Sequence, residues 1–304
     1  MYDLMIIGAG PAGMTAAVYA ARKKLNTILL SKDVGGQVNW TMGVENYMGY
    51  QFVEGAELMK KFEEQVKKFP IEVKTSQTVN SLSKVGGGFK AVVADGKKYQ
   101  AKAVIVASGK RPRPLNVPGE EKLKGRGVTY CAICDGPLFA DMKVAVIGGG
   151  NSALESADDM IKVADHVYLV SLTQLTGDQI LIEKVKGAKN LTTFLEYEVS
   201  EIMGEKMVEG IRIRDLKSKQ EKKLEVAGVF IEIGLIPNSD FAKEIARLNN
   251  LGEIEVNCNN ETGVAGFFAA GDVTNVPEKQ IVIAAGEGAK AALQAHRYLQ
   301  RLAN

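Results

Sequence analysis

Two glycine-rich turns constrain the fold of this chain more strongly than any other feature of its sequence. The turn Gly8–Gly13 follows the apolar stretch Asp3–Ile7, and the turn Gly148–Ala153 follows the apolar stretch Lys143–Ile147. In such a turn the first glycine permits a tight bend, the second lets the backbone approach a pyrophosphate, and the third small residue packs helix against strand. The following helix offers free N–H groups to the anion. The turns therefore predict two dinucleotide-binding folds of the α/β class.

The order of elements around the two turns indicates two domains. At 304 residues the chain is long enough for two domains of ordinary size. Each turn leads into a helix, a second strand and then a run of short strands, at Ile71–Tyr99 and Leu191–Ile233. The three prolines of Lys110–Pro118 cannot continue a helix or an interior strand, which predicts a first boundary there. Gly234–Asn238 is the second linker, and the repeated order predicts a duplicated fold.

Charge and composition argue against several classes of function. The formal net charge is only +2, and the Lys and Arg residues are scattered. Such a chain is not expected to bind nucleic acid or a membrane surface. No apolar run approaches the roughly 20 residues of a membrane span. The first residues lack the basic region, apolar core and cleavage site of a signal peptide. We therefore expect a cytoplasmic protein.

Two of the three cysteines form a close pair, Cys131-Ala-Ile-Cys134, just ahead of the second turn. In a reducing compartment such a pair is more often catalytic than structural. A pair at a helix start favours thiolate, and the adjacent Asp135 is a candidate proton donor. No zinc site is expected, because Cys258 and both histidines are distant in sequence. Next to two nucleotide folds, the pair indicates electron transfer between two nucleotide cofactors and a disulfide; the alternative is two buried, unreactive cysteines.

These motifs together resemble those of the low-molecular-weight thioredoxin reductases and of the related flavoprotein subunit of alkyl hydroperoxide reductase. The similarity runs along essentially the whole chain, and Gly127–Pro137 and Val276–Ile281 are closer to the hydroperoxide-reductase branch. That subunit carries an additional N-terminal thioredoxin-like module that we do not find here, so the disulfide partner is expected to be a separate protein. The other matching segments are Gly8–Gly13, Gly35–Gln37, Val44–Asn46, Val104–Gly109, Gly148–Ala153, Ala269–Asp272 and Lys279–Ile281.

The resemblance implies two Rossmann-like domains of the three-layer ββα type, the second inserted into the first. Residues 1–116 and 238–304 would form a discontinuous FAD domain, and residues 117–237 a pyridine-nucleotide-type domain with the cysteine pair. The residues that the resemblance places against FAD are Gly8, Gly10, Pro11, Ala12, Gly13, Gly36, Gln37, Asn46, Ala107, Gly109, Gly271, Asp272, Lys279, Gln280 and Ile281.

The same resemblance implies a pyridine nucleotide site with an unusual sequence. Family members that prefer NADPH carry arginines after the strand matching Val167–Val170, and these pair with the 2′-phosphate. Here Ser171–Asp178 contains no cation, so NADH is expected to be preferred over NADPH unless Lys184 or Lys186 supplies the charge. The implied residues of this site are Gly148, Gly150, Asn151, Ser152, Ala153, Ser171 and Gly234.

The acidic residue that usually binds a ribose is missing at the end of both second strands. Ser31 and Ser171 occupy those positions. A pyridine nucleotide site of this kind could be vestigial, with electrons supplied by ferredoxin or another flavoprotein. The intact glycine turn Gly148–Ala153 favours NADH.

The resemblance also implies roles for the cysteine pair. In one domain arrangement nicotinamide would reach the flavin, and in the other the Cys131–Cys134 disulfide would reach it. Cys134 would face the flavin, Cys131 would attack the partner's disulfide, and Asp135 would act as general acid. The linkers Gly109–Pro118 and Gly234–Ser239 are the candidate hinges.

We therefore predict an FAD-dependent thioredoxin-disulfide reductase that takes electrons from NADH and reduces a thioredoxin or glutaredoxin-like protein. Members of the family are usually homodimers. Two other classes of function are a non-catalytic flavin-binding redox sensor and an NADH oxidase that makes peroxide. Replacing Cys134 by Ser should abolish disulfide turnover but leave flavin reduction by the donor intact.

Overall fold

The computed structural model describes residues 1–41 and 43–303. Short 3₁₀ helices occupy Gly36–Trp40, Gly136–Phe139 and Asp240–Ala242. The α-helices are α1 (Pro11–Arg22), α2 (Gly55–Lys67), α3 (Glu120–Leu123), α4 (Ala132–Asp135), α5 (Asn151–Met160), α6 (Gln179–Lys186) and α7 (Ile281–Ala303). Within the described ranges, no helix combines the length and apolar character needed to cross a membrane.

The strands alternate with these helices near both glycine turns and follow one another elsewhere. They are β1 (Tyr2–Ala9), β2 (Thr27–Val34), β3 (Glu72–Lys74), β4 (Val79–Val85), β5 (Gly88–Val93), β6 (Lys98–Val106), β7 (Lys110–Pro112), β8 (Val128–Thr129), β9 (Lys143–Ile147), β10 (His166–Ser171), β11 (Leu191–Leu195), β12 (Tyr197–Met203), β13 (Gly210–Asp215), β14 (Glu221–Leu224), β15 (Gly228–Ile231), β16 (Leu235–Pro237) and β17 (Phe267–Ala269).

The chain divides into two compact units. Unit 1 consists of Met1–Asn39, Gly55–Arg111 and Ile236–Asn304, and unit 2 of Trp40–Glu54 and Pro112–Leu235. The structure groups the segment Trp40–Glu54 with unit 2. One physical reason is a cation–π contact within unit 2, since the ammonium group of Lys124 lies 3.5 Å from the centroid of the Trp40 ring.

Unit 1 contains a seven-stranded sheet with the order β3-β2-β1-β6-β5-β4, and β17 also pairs with β6. Strand β1 pairs in parallel with β2 and with β6, and β17 is also parallel to β6. Strands β4, β5 and β6 are antiparallel neighbours. Residues Leu4–Ile7 of β1 are all buried, as expected of a parallel strand covered on both faces. The first glycine turn therefore leaves the middle of this sheet.

Helices α1 and α7 cross closely within unit 1. A Cβ atom on Gly288 of α7 would lie 2.0 Å from the carbonyl oxygen of Ala12 in α1. No side chain larger than hydrogen fits at that crossing without a shift of backbone. Gly288 was not singled out from the sequence, because its requirement comes from a helix far away along the chain.

Unit 2 contains a five-stranded sheet with the order β11-β10-β9-β15-β8 and a separate antiparallel sheet β12-β13-β14. The pairs that join the strands of the larger sheet are all parallel. Unit 2 thus repeats the plan of unit 1, a parallel sheet accompanied by three antiparallel strands. The predicted α/β class with two dinucleotide-binding folds is confirmed.

Candidate active site

The first glycine turn is held by backbone contacts that only glycine permits. Gly8 has φ +111°, and a Cβ atom there would lie 2.2 Å from the carbonyl oxygen of Ala107. A Cβ atom on Gly13 would lie 1.8 Å from the carbonyl oxygen of Gly8. The amide of Ala107 in turn donates to the carbonyl of Ile7 at 2.7 Å. Ala107, which follows β6, therefore lies against the first glycine turn.

Gly10 sits in a cradle that fits a pyrophosphate. It is the N-cap residue of α1, and the first helical turn carries no acidic side chain. Apart from Gly10 itself and its two chain neighbours, no heavy atom of the described residues would lie within 4 Å of a Cβ atom on Gly10. The open space and the free N–H groups of the helix start suit a negatively charged group. Residues Pro11, Ala12 and Gly13 supply the first turn of that helix.

The Gly271–Asp272 turn lies beside the same helix in unit 1. Gly271 has φ +76°, and a Cβ atom there would lie 3.0 Å from the Cβ of Ala12. The amide of Gly271 donates to Glu287 Oε2 at 2.7 Å. Burial raises the pKa values of Glu287 and Asp272. The structure thus brings Gly271 and Ala12 together, and it adds Glu287 as a support that the sequence did not reveal.

A buried ion cluster lies near this turn, because the charges of its two lysines act on Asp272. Lys110 Nζ is 2.5 Å from Glu253 Oε1, and Lys279 Nζ is 3.4 Å from the same oxygen. Lys279 also donates to the carbonyl of Thr274 at 2.6 Å. Burial, followed by repulsion from Lys110, lowers the pKa of Lys279. Of these three residues, the resemblance had implied a role in binding FAD only for Lys279. The structure adds Lys110 and Glu253 as its neighbours in the ion cluster.

The remaining residues predicted for FAD are distributed over several elements. Gly36 and Gln37 begin the 3₁₀ helix Gly36–Trp40, and both are partly buried. Ile281 begins α7, and the carbonyl of Gln280 accepts the amide of Ala284 at 2.9 Å. The carbonyl of Gly109 accepts the amide of Asn238 at 3.0 Å, where the chain returns to unit 1. Asn46 is exposed and lies in unit 2.

The hydroxyl group of Ser31 is engaged within its own turn. It donates to the carbonyl of Asp33 at 2.6 Å and accepts the amide of Ala9 at 3.1 Å. Ser31 is 8% exposed. It therefore braces the end of β2 against the end of β1, a structural role for the residue that replaces the usual acid.

The second glycine turn has the same construction as the first. Gly148 has φ +143°, and a Cβ atom there would lie 2.4 Å from the carbonyl oxygen of Glu232 and 2.9 Å from the Cβ of Ala153. Gly150 is the N-cap residue of α5. Apart from Gly150 itself and its two chain neighbours, no heavy atom of the described residues would lie within 4 Å of a Cβ atom on it. Asn151, Ser152 and Ala153 form the first helical turn. This cradle also fits an anionic group.

The loop after β10 folds onto the second glycine turn. The amide of Thr176 donates to the carbonyl of Gly149 at 2.7 Å. The amide of Asp178 donates to Asn151 Oδ1 at 2.7 Å, and Asn151 Nδ2 donates to Asp178 Oδ2 at 3.2 Å. Ser171 is 3% exposed, and its hydroxyl accepts the amide of Thr173 at 3.3 Å. The hydroxyl of Ser171 thus braces its own loop.

The two lysines that could have supplied a cation to this loop lie on α6. Lys184 Nζ is 2.7 Å from Asp158 Oδ2, so its charge is already paired. Lys186 lies in the last turn of α6. Gly234, the other predicted residue of this site, has φ +104°, and its carbonyl accepts the amide of Arg113 at 2.9 Å.

The two close cysteines form a disulfide. Their Cα atoms are 5.3 Å apart, and Cys131 is the N-cap residue of the four-residue helix α4. The amide of Cys134 donates to Cys131 Sγ at 3.2 Å. Both cysteines are partly exposed, and Ile133 between them is 63% exposed. The pair is therefore not buried, and Cys258 is a free, exposed cysteine.

Asp135 is held by a residue that the sequence analysis missed. Its carboxylate is 2% exposed and accepts a short hydrogen bond from the hydroxyl of Thr129. Thr129 Oγ1 also accepts the amide of Cys131 at 3.3 Å. Thr129 thus connects the predicted general acid to the backbone of the redox pair. Its place in the Gly127–Pro137 motif was the only signal in the sequence.

Comparison with known proteins identifies the family. The model of the family described as pyridine nucleotide-disulphide oxidoreductase matches residues 2–288 of this chain. The chain belongs to that family. As a pyridine nucleotide-disulphide oxidoreductase it is an enzyme that catalyses electron transfer, as predicted from the motifs. Membership implies FAD and a pyridine nucleotide, and the cradles at Gly10 and Gly150 fit both groups.

Two curated relatives are, by name, subunits of alkyl hydroperoxide reductase. The one from Staphylococcus aureus (strain MSSA476) is 40% identical over 301 residues, which are 99% of this chain and 59% of that protein. The one from Escherichia coli (strain K12) is 42% identical over 305 residues, which are 99% of this chain and 58% of that protein. The chain thus spans less than two thirds of the length of these relatives.

Solved structures of the same family match nearly the whole chain. Thioredoxin reductase from Streptococcus pyogenes MGAS5005 is 37% identical, with a TM-score of 0.94 and 99% of each chain covered. Lactococcus lactis thioredoxin reductase in its FR conformation is 33% identical, with a TM-score of 0.69 and 99% and 100% of the two chains covered. The resemblance stated from the motifs is confirmed. Among the described residues, no three His, Cys, Asp or Glu side chains are grouped so that they could hold a metal ion.

Proposed function

We propose that this chain is an FAD-dependent disulfide reductase that passes electrons from NADH, through the Cys131–Cys134 disulfide, to a thioredoxin or glutaredoxin-like protein. The observation that carries the proposal is the partly exposed disulfide next to a buried carboxylic acid, in the same unit as the second nucleotide cradle. The names of the similar solved structures support a thioredoxin-like partner. The names of the curated relatives support a reductase.

The residues of the first cradle would hold FAD. The backbone at Gly10 and the start of α1 face the space that a pyrophosphate needs, and the Gly271–Asp272 turn lies beside Ala12. Bound FAD would supply two-electron exchange with both a pyridine nucleotide and a disulfide. The carboxyl group of Asp272, next to Gly271 in this turn, would hydrogen-bond to a hydroxyl group of the cofactor.

The cysteines and their neighbours perform the disulfide chemistry. Two electrons break the S–S bond, and Asp135 gives a proton to one sulfur. Cys131 attacks the disulfide of the partner, and that bond breaks as a mixed disulfide forms. Cys134 then attacks the mixed disulfide, which releases the reduced partner and restores the Cys131–Cys134 bond. Thr129 keeps the carboxylate of Asp135 oriented through this cycle.

The charge distribution around the second cradle supports NADH over NADPH. The exposed residues Leu172, Thr173 and Gln174 follow β10 where NADPH-preferring relatives carry arginines. Lys184, the nearest alternative cation in sequence, is paired with Asp158. A 2′-phosphate would therefore meet Asp178 rather than a guanidinium group, which disfavours it.

One observation supports a second electron donor, ferredoxin or another flavoprotein. In the loop Ser171–Asp178 the hydroxyl group of Ser171 is hydrogen-bonded to the amide of Thr173, and the amide of Thr176 is hydrogen-bonded to the carbonyl of Gly149. These groups are then less available to a ribose. The intact, open cradle at Gly150 supports the pyridine nucleotide, so NADH stays the first proposal.

An anaerobic titration of the FAD-loaded protein tests the donor. Addition of NADH should bleach the flavin absorbance at much lower concentration than NADPH. Bleaching by dithiothreitol but by neither nucleotide would contradict NADH and favour ferredoxin or another flavoprotein.

A variant tests the disulfide step separately. Cys134→Ser should abolish reduction of a thioredoxin-like disulfide but leave flavin reduction by the donor intact. Cys258→Ser is the matched control, because Cys258 is free and exposed. Unchanged disulfide turnover in Cys134→Ser would exclude the proposed reductase. Oxygen-dependent NADH oxidation that survives loss of both Cys131 and Cys134 would instead indicate an oxidase.

Two further features follow from the same resemblance and are part of this proposal. The FAD domain would consist of residues 1–116 and 238–304, and the pyridine-nucleotide-type domain of residues 117–237. The protein would form a homodimer, which sedimentation equilibrium of the FAD-loaded protein checks.

A further inference from the structure

One buried carboxylate of unit 1 is shared by two lysines. Glu253 Oε1 lies 2.5 Å from Lys110 Nζ and 3.4 Å from Lys279 Nζ. Glu253 Oε2 accepts a hydrogen bond from the neutral side chain of Asn249 at 2.6 Å. The side chains of the three charged residues are at most 17% exposed. This ion cluster, which consists of Lys110, Lys279 and Glu253, therefore holds one net positive charge largely out of water.

The pair of Lys110 and Glu253 lies at the edge of the sheet where β6 and β17 end. Lys110 begins β7, shortly after the end of β6. Glu253 precedes Ile254, whose amide donates to the carbonyl of Val273 at 2.9 Å, just beyond the end of β17. Because β6 and β17 are parallel neighbours, their carboxyl ends lie side by side. The ion cluster is therefore at the same edge as the Gly271–Asp272 turn.

Lys279 connects the ion cluster to that turn. Its ammonium group donates to the carbonyl of Thr274 at 2.6 Å. Thr274 donates its amide and its hydroxyl group to the carbonyl of Gly271, at 2.9 and 2.8 Å. Gly271 lies against Ala12, since a Cβ atom on this glycine would be 3.0 Å from the Cβ of Ala12. A short chain of contacts thus links the ion cluster to the first turn of α1, where the first cradle is.

The edge formed by β6 and β17 is where the flavin half of FAD would lie. In a dinucleotide-binding fold the pyrophosphate sits at the glycine turn after the first strand, and the adenosine ribose is bound at the end of the second strand. Here β2 and β6 flank β1 on opposite sides. With the adenosine half at β2, the other half of the cofactor extends over β6 and β17, toward the ion cluster.

We propose that the ion cluster stabilises reduced FAD by its net positive charge, with Glu253 as the positioning residue that holds both lysines at this edge. The inference rests on the proposed function, because it requires bound FAD. In the proposed reaction a hydride from NADH brings two electrons and one proton, so the flavin gains one negative charge as NADH becomes NAD⁺. A positive charge nearby favours this product over the neutral oxidised ring.

The equilibrium between the flavin and a two-electron reference dye of known potential tests this role. FAD-loaded protein with Cys131→Ser and Cys134→Ser is used, so that no disulfide between these residues competes for the electrons. Lys110→Met makes the ion cluster neutral. The equilibrium constant for flavin reduction should then fall by about tenfold, which is 29.6 mV for a two-electron couple. Glu253→Gln removes the negative charge but keeps an acceptor for Lys110, so the constant should rise by a similar factor.

The opposite signs of these shifts separate a role of charge from a role in packing. The double variant Lys110→Met with Glu253→Gln has the net charge of the original ion cluster and should return to the original potential. Lys97→Met is the control, because its pair with Asp95 is exposed, and it should leave the potential unchanged. If Lys110→Met releases FAD, the direction of the shift in Glu253→Gln decides. Shifts of the same sign in the two single variants, or no shift, overturn the proposal.

The role of the ion cluster and the proposed function can fail separately. The dye equilibrium is reached with dithionite as the reductant, so it needs neither NADH nor a protein disulfide. If the potentials shift as expected but the wild-type protein reduces no thioredoxin-like disulfide, the proposed function fails while the role of the ion cluster stands. If the wild-type protein reduces such a disulfide but the potentials do not shift, only the role of the ion cluster fails.

Discussion

The ammonium nitrogen of Lys110 lies 2.5 Å from a carboxylate oxygen of Glu253, and the two side chains are only 9% and 8% exposed. The residues are far apart along the chain, one after β6 and one in the segment before β17. Burial raises the pKa of Glu253, but the hydrogen bonds from Lys110 and Asn249 and the nearby charge of Lys279 together hold it below its ordinary value. The ion pair therefore joins two distant segments of unit 1 beneath the surface.

Removal of Lys110 should destabilise unit 1. Lys110→Met would leave Glu253 with the more distant cation Lys279 and the neutral donor Asn249. Breaking a partly compensated buried pair should lower the free energy of unfolding by about 2–3 kcal/mol. Thermal unfolding of the FAD-loaded protein measures the change. Lys97→Met is the control, because its pair with Asp95 is exposed and should be nearly neutral. Equal shifts in melting temperature in the two variants would show that the buried pair of Lys110 and Glu253 contributes no more to stability than an exposed pair.

Gly10→Ala should separate folding from cofactor binding. Gly10 has φ −80°, which alanine adopts, and the described residues leave its Cβ position open. The variant should fold but bind FAD roughly tenfold to a hundredfold more weakly, because the new methyl group meets the pyrophosphate. Fluorescence titration of the apoprotein measures the affinity. Gly86→Ala, also in open space, should bind FAD normally. Unchanged affinity in Gly10→Ala would place the pyrophosphate elsewhere.

Thr129→Val should weaken the redox centre through Asp135. The substitution keeps the shape but leaves the buried carboxylate without its hydroxyl donor, which should cost about 1–3 kcal/mol of stability. Turnover with a disulfide substrate should fall as well. Thr129→Ser keeps the hydroxyl group and should retain most of the stability and most of the turnover of the wild-type protein. Equal turnover in the two variants would show that this hydrogen bond does not orient the acid.

Arginines placed after β10 should create a preference for NADPH. Leu172 and Thr173 are exposed, so Leu172→Arg with Thr173→Arg should be tolerated. Each charged hydrogen bond to the 2′-phosphate contributes about 1.5–3 kcal/mol, so NADPH should bind roughly tenfold tighter or more. The anaerobic flavin titration measures the change, with glutamines at both positions as the uncharged control. An unchanged ratio of NADPH to NADH affinity would mean that no phosphate approaches this loop.

Glu232 should make stability depend on pH. In the folded protein the pKa of Glu232 is raised to about 7. The contribution of Glu232 to the free energy of unfolding is therefore complete below the pKa that this residue has in the unfolded protein. That contribution is lost as pH rises to about 7. Because the side chain is partly exposed, we expect the loss to be about 1–3 kcal/mol. The melting temperature of Glu232→Gln relative to the wild type should therefore rise between pH 5 and pH 8. A constant difference would contradict the raised pKa.

Local sequence patterns were sufficient for the two nucleotide folds. In Gly8–Gly13 and Gly148–Ala153 the required glycines, the preceding strand and the following helix are neighbours along the chain, so their spacing alone predicts the turn. The cysteine pair is predictable for the same reason, because three residues of separation allow a disulfide within one turn. The placement of Trp40–Glu54 was not predictable, since its grouping depends on contacts such as that of Trp40 with Lys124.

The sequence by itself determined the α/β class, both nucleotide cradles and the redox pair, because each of these is encoded in a short stretch of residues. Only the tertiary structure decided which polar groups support them. Thr129 reaches Asp135 across a turn, Glu287 of α7 reaches Gly271, and Ser156 of α5 reaches Glu232. A buried carboxylate takes its partner from whichever segment the fold brings within hydrogen-bond distance, and a linear pattern carries no record of that distance.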